Sequence, residues 1–175
     1  VAALARLQGE AWRLVIAGAT DRAPEVHAAL REALRHHGLE ERVTLTGAIS
    51  DAEIEALYAK ADLFVMPSRY EGYGMVLAEA MARGLPIITT TGGAAAETVP
   101  DGAAVKVPPD DALALSAALS RLIQSPRMRA ELAARSFEAG RALPGWDDTA
   151  RIVASVVAEL ATGAPSHSHH PGPPR

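Results

Sequence analysis

Two carboxylates, Glu71 and Glu79, are the side chains of this sequence whose setting most invites chemistry. They lie in MPSRYEGYGMVLAEAMARGLP, Met66 to Pro86, with seven residues between them. Glu71 falls in a polar loop. Glu79 falls inside a helix whose other members, Met75, Val76, Leu77, Ala80 and Met81, suit helix formation or a core. A carboxylate among such neighbours needs water or a partner. Between the two acids stands Gly72-Tyr73-Gly74, whose glycines lack a Cβ and let backbone come close to a ligand. The helix starts near Gly74 or Met75, and Gly84 with Pro86 ends it. Its first turn offers unpaired N–H groups and the positive end of the helix dipole, an anion site. A carboxylate accepts hydrogen bonds from hydroxyls, two neighbouring ones included. Phosphate at the amides of Gly74, Met75 and Val76, with hydroxyl-bearing groups at Glu71 and at Glu79, is the chemistry this order supports. Spacing alone favours solvated surface acids, since a carboxylate near a helix N-terminus gains only about 0.3–1 kcal/mol from the dipole.

The elements that would position these residues alternate in type. Val1–Gln8 reads as the end of an amphipathic helix. Trp12–Ala17 is a short apolar run read as a buried parallel strand. Pro24–His37 is a helix with proline in its first turn and Gly38 as its stop. Val43–Ile49 is a strand. A helix runs from Ser50 or Asp51 to Lys60, with Glu53 completing a capping box. Asp62–Pro67 reads as a central strand, Pro86–Thr90 as another, and Gly92-Gly93 as a turn into a short helix over Ala95–Val99. Ala104–Val107 is the last strand. Helices follow over Asp111–Ile123, Arg127–Arg141 and Asp147–Leu160. The segment from Thr162 to Arg175, rich in Pro, Ser, Gly and His, is expected to be disordered. The alternation implies an α/β fold, a Rossmann-like parallel sheet with helices on both faces. Ligands in such sheets bind at the carboxyl ends of strands, where Glu71 falls.

Composition narrows the function classes. A chain of 175 residues with 49% hydrophobic and 22% charged residues suits one globular domain with a real core, set at residues 1–161. The formal net charge of −4 argues against a general nucleic-acid binder. With no cysteine there is no disulfide, thiolate nucleophile or Cys-ligated zinc. No apolar run approaches a membrane span, and no signal peptide is read at the N-terminus. The chain starts at Val1 in what reads as mid-helix and is taken as a fragment. Abundant Ala and Arg suggest a GC-rich bacterial source.

The stretch PSRYEGYGMVLAEA, followed by GLPIITT and then by GG with Glu97, resembles the glutamate-x7-glutamate signature of retaining glycosyltransferases of the GT-B fold, in particular the GT4 family. The resemblance extends from the first residues to about Leu160. It implies the C-terminal, nucleotide-sugar-binding half of such an enzyme. In that frame Glu71 is the candidate catalytic residue, holding sugar hydroxyls near the anomeric carbon. Gly72, Tyr73, Gly74, Met75 and Val76 surround the diphosphate, and Glu79 takes the ribose. Gly47 and Ile49 lie beside the nucleobase, or Ile49 is simply a buried strand-end residue. Tyr73, where the family often has Phe, packs under the loop or touches the donor. The resemblance also implies an Arg and a Lys from a loop after a first strand, placed before Val1. It further implies no metal or other cofactor, an acceptor domain outside this sequence, and a cytoplasmic location with any membrane contact made through that domain. Donor sugar, base and acceptor stay open.

Other features are read as structural. The GG-AAA-E spacing is one residue longer than the family's turn, and Glu97 is given no ligand. Arg69 could pair with an acid or contact a ligand, and a solvated arginine is the preferred reading. Neighbouring His36 and His37 point different ways, and His167, His169 and His170 form an incidental tail. Two further classes fit the fold. One is a nucleotide-sugar epimerase or a sugar phosphorylase, although neither Lys60 nor Lys106 sits in a glycine-rich cofactor pattern. The other is a non-catalytic interaction domain, which would not need Glu71, Gly74 and Glu79.

Overall fold

The computed structural model describes residues 1–162. The expected tail beyond Thr162, with His167, His169 and His170, lies outside the described residues. Val1–Arg141 forms one compact unit, and a second begins at Ala142. Five strands and six helices make up the first unit: β1 Leu14–Ala17, α1 Pro24–His36, β2 Val43–Gly47, α2 Asp51–Lys60, β3 Phe64–Met66, α3 Met75–Ala82, β4 Ile87–Thr90, α4 Ala95–Thr98, β5 Ala104–Val107, α5 Ala112–Gln124 and α6 Pro126–Arg141. The second unit consists, as described, of α7, Trp146–Thr162. Its start is held by the Gly145 N–H donating to Asp148 Oδ2 at 3.0 Å.

All strand pairs are parallel, and helices alternate with strands, as expected of an α/β chain. The strands form two sheets, however, β1-β2 and β3-β4-β5. Two expectations therefore change. The run around β1 is not buried: Val15 and Ile16 are 44% and 36% exposed. A continuous apolar run signals a strand covered on both faces, and here β1 pairs only with β2. Likewise β3, expected at the centre, is an edge of its sheet; β4 is the central strand, and Ile87, Ile88 and Thr89 on it are fully buried. The first residues form a short 3-10 turn over Leu4–Leu7 rather than the end of an α-helix.

Local chemistry sets the elements that carry the site. Ser50 caps α2 through the expected box: its Oγ accepts from the Glu53 N–H, and its own N–H donates to Glu53 Oε2 at 2.8 Å. Asp111 caps α5 by accepting from the Leu113 and Ala114 N–H groups. Along α3 the residues Leu77, Ala80 and Met81 are fully buried. The contact with α6 is close enough that a Cβ at Gly140 would lie 2.6 Å from the Met81 carbonyl carbon. Ile88, Val107, Leu119, Leu122 and Leu132 form one core cluster, and Leu34, Leu39 and Val43 another; Trp12 packs against both.

Candidate functional site

The loop from Ser68 to Gly74 leaves the carboxyl end of β3 and is fixed from beneath by buried hydroxyls. Thr89 Oγ1 donates to the Met66 carbonyl at 3.1 Å, and Thr90 Oγ1 donates to the Ser68 carbonyl. The Gly92-Gly93 turn then clamps Glu71 by its backbone. The Glu71 N–H donates to the Gly92 carbonyl at 3.3 Å, and the Ala94 N–H donates to the Glu71 carbonyl at 2.8 Å. A Cβ on Gly92 would stand 2.2 Å from the Arg69 carbonyl oxygen, and one on Gly93 2.4 Å from that of Glu71. The paired glycines are therefore required by the approach of two backbones. Glu97, one residue late relative to the family pattern, is exposed on α4.

Gly74 ends the loop in the left-handed region, at φ 82°, and serves as the N-cap of α3. No side chain caps this helix. Its first-turn N–H groups, those of Met75 and Val76, have no carbonyl within the helix to meet. Thr98 on α4 props the turn by donating from Oγ1 to the Tyr73 carbonyl at 3.1 Å.

Glu71 turns back onto its own loop. Its Oε1 accepts from the Gly74 N–H at 3.0 Å and from the Tyr73 N–H at 3.2 Å. These donors, Gly74 foremost and then Tyr73, hold the carboxyl below its ordinary 4.5, with a smaller contribution from the Gly72 N–H. The Gly74 amide, expected at a phosphate, is thus already engaged. A carboxylate three residues ahead of the helix reaches the same donors an anion would use. What remains for an anion is the pair at Met75 and Val76, whose side chains are exposed. Tyr73 is 77% exposed, which excludes packing beneath the loop, one of the two placements read for it.

Glu79 lies one turn further along α3 and is exposed. Its Oε2 accepts from the Tyr58 hydroxyl of α2 at 3.1 Å. Gly47 and Ile49 stand at the carboxyl end of β2, in the other sheet. Gly47 has φ 72° and accepts from the Gly18 N–H at 3.1 Å, and Ile49 is half-buried. The structure joins Glu71, Tyr73 and Gly74 in one hydrogen-bonded loop. Sequence reasoning missed Tyr58, Thr89, Thr90 and Thr98. Nothing in the primary structure links Tyr58 to an acid 21 residues later, whereas two threonines inside the apolar run PIITT are a visible oddity.

Two basic side chains nearby have acidic partners. Arg69, read as solvated, pairs with Asp110 at 2.7 Å. Lys106 Nζ donates to the Ala96 carbonyl and to Asp101, each at 2.9 Å. His36 and His37 do not point apart: their rings meet edge to face with centroids at 4.9 Å, because His37 lies past the helix at φ −97°, ψ 0°. Among the described residues no three His, Asp or Glu side chains gather as a metal site. None of the described helices is long and apolar enough to cross a membrane.

Parallel strands alternating with helices, a glycine turn at a strand's carboxyl end and a helix N-terminus without a side-chain cap define the class: an α/β protein of the kind that binds ligands at the carboxyl ends of its strands. Comparison with known proteins resolves it further. The chain belongs to the family described as glycosyl transferases group 1, whose model matches residues 1–125. It is 33% identical over 168 residues to a D-inositol 3-phosphate glycosyltransferase of Xylanimonas cellulosilytica, covering 95% of this chain and 40% of that protein. Among solved structures it is similar to a sucrose-phosphate synthase of Thermosynechococcus elongatus (TM-score 0.81, 30% identity, 93% of this chain and 41% of that one). It is also similar to HepE of Anabaena in complex with UDP (TM-score 0.75, 25% identity, 91% and 43%). The fold is that of GT-B glycosyltransferases. The chain spans about two-fifths of the length of each of these three relatives.

Proposed function

We propose that this chain is the donor-binding half of a retaining GT4 glycosyltransferase, which moves a sugar from a nucleoside diphosphate to an acceptor hydroxyl. The observation that carries the reading is the Glu71 loop. One carboxylate oxygen is fixed by two amides, the other is left for sugar hydroxyls, and the helix N-terminus directly beyond it has no side-chain cap. The Met75 and Val76 amides hold diphosphate, Glu79 takes ribose, and the end of β2 at Gly47 and Ile49 flanks the base. HepE of Anabaena, with UDP bound and with UDP and glucose bound, supports a nucleotide-sugar ligand.

As the glycosidic bond breaks, negative charge builds on the departing diphosphate, and stabilising it is the main catalytic demand. The helix N-terminus meets part of that demand. Since Arg69 and Lys106 are engaged elsewhere, the remaining cations come from outside these residues. A loop after an added strand is the place, and no metal or other cofactor is invoked. That strand would lie between β1 and β3, and the acceptor domain would lie beyond the chain, on the cytoplasmic side of the cell. Any membrane contact would be made by that domain.

The test is a melting-temperature panel of UDP-, GDP- and ADP-sugars on the full-length protein and its Glu71→Ala variant. A ligand at 100 times its Kd stabilises the native state by about 2.7 kcal/mol. One nucleotide series should raise Tm, and the variant should lose much of the gain. No shift with any series would overturn the reading.

A further inference from the structure

Glu79 is an exposed glutamate on a helix, and such a side chain ordinarily samples several rotamers. Here it has a partner on another element. The Tyr58 hydroxyl reaches across from α2 and donates to Oε2 at 3.1 Å. Tyr58 itself has two ring contacts. Phe64 of β3 lies with its ring centroid 6.0 Å away, and the Arg83 guanidinium stands 4.4 Å over the ring centroid. Arg83 is fixed in turn by an ion pair with Glu55 of α2 and by donating from Nη1 to the Glu79 carbonyl at 2.8 Å. Burial and the neighbouring Glu79 carboxylate push the Tyr58 phenol up to about 12, so it remains a donor throughout the physiological range.

This is more apparatus than a surface pair requires. A carboxylate has about four lone-pair directions. Tyr58 takes one of them at Oε2, which leaves Oε1 and the second direction of Oε2. We propose that Tyr58 is a positioning residue for ribose recognition: its hydroxyl fixes Glu79 so that the free oxygen faces the two vicinal hydroxyls of a nucleoside diphosphate. The inference rests on the ribose role given to Glu79 above. Arg83 and Glu55 extend the same device: the ion pair between them holds the guanidinium over the Tyr58 ring.

A merely structural tie between α2 and α3 would affect all nucleotides alike. A positioning role affects only those that carry ribose hydroxyls. The experiment is calorimetric binding of UDP, GDP and ADP, each beside its 2′,3′-dideoxy form, to the full-length protein, its Tyr58→Phe variant and its Glu79→Gln variant. Phenylalanine keeps the ring and its packing, and melting temperature checks that the variant is folded. The native protein should prefer the ribose form of its nucleotide by about tenfold, as expected for hydrogen bonds to a charged group. Tyr58→Phe should shrink that preference at least threefold while leaving the dideoxy affinity unchanged. Equal weakening of both forms would overturn the inference in favour of a structural tie. An unchanged preference in Tyr58→Phe, with the preference lost in Glu79→Gln, would overturn the inference while leaving the role of Glu79 standing. A full preference in Glu79→Gln would overturn both.

Discussion

At the scale of single residues, the telling fact is which group occupies the amides at the head of α3. In the proposed donor site a phosphate would compete with the Glu71 carboxylate for the same kind of donor, and geometry divides them. Glu71 takes Tyr73 and Gly74, and the first-turn amides beyond stay open. Two amide bonds lower the carboxyl's pKa, so the latch has a defined pH dependence. A group depressed in the folded state contributes stability above its ordinary value of 4.5 and loses it as pH falls through the lower, folded value. The Gly74 and Tyr73 amide nitrogen and proton resonances should therefore move together in an acid titration, with a midpoint below 4.5. Glu71→Gln should abolish that step. A midpoint at the ordinary glutamate value would mean that the carboxylate is not latched.

At the scale of elements, α2 deserves as much weight as α3, because it carries both Tyr58 and Glu55. Its start was legible in sequence: a serine followed three residues later by glutamate is a cap with a mechanism, and the structure forms both halves of it. Replacing Ser50 by Ala should cost about 1 kcal/mol of stability, measured by denaturant unfolding. Fraying at this end should leave the Tyr58–Glu79 bond intact, since Tyr58 sits in the last turn. Equal nucleotide affinity in Ser50→Ala is the matching expectation. Helix boundaries elsewhere, and the loop between Glu71 and Gly74, were readable for the same local reason: glycine, proline and capping side chains act over three or four residues. Contacts across elements were not readable. The bond from Tyr58 to Glu79, the props from Thr89, Thr90 and Thr98, and the engagement of Arg69 by Asp110 depend on which strands lie side by side. The edge-to-face meeting of His36 and His37 escaped for a different reason, the loss of helical geometry at His37.

At the scale of the whole molecule, the division into two sheets is the main departure from expectation, and the strands themselves say how to read it. β2, VTLTG, alternates apolar residues with threonines, and β5, AVKV, carries Lys106; polar and lysine-bearing strands are what sheet edges ordinarily show. β1, LVIA, and β3, FVM, are apolar without alternation, which is the composition of strands enclosed in a parallel sheet. Yet each pairs on one side only, and Val15 and Ile16 lie exposed. The proposed added strand would fit between β1 and β3, giving the order β2-β1-added strand-β3-β4-β5. Its loop would then leave the sheet at the carboxyl end, where the proposed leaving diphosphate would need cations. Amide hydrogen exchange decides the point. In this 175-residue chain the amides of β1 and β3 that do not donate to β2 or β4 should exchange fast. In the full-length protein the same alternate amides should be protected, and Val15 and Ile16 should become buried. Equally fast exchange in both forms would leave the two sheets separate and place the missing cations elsewhere.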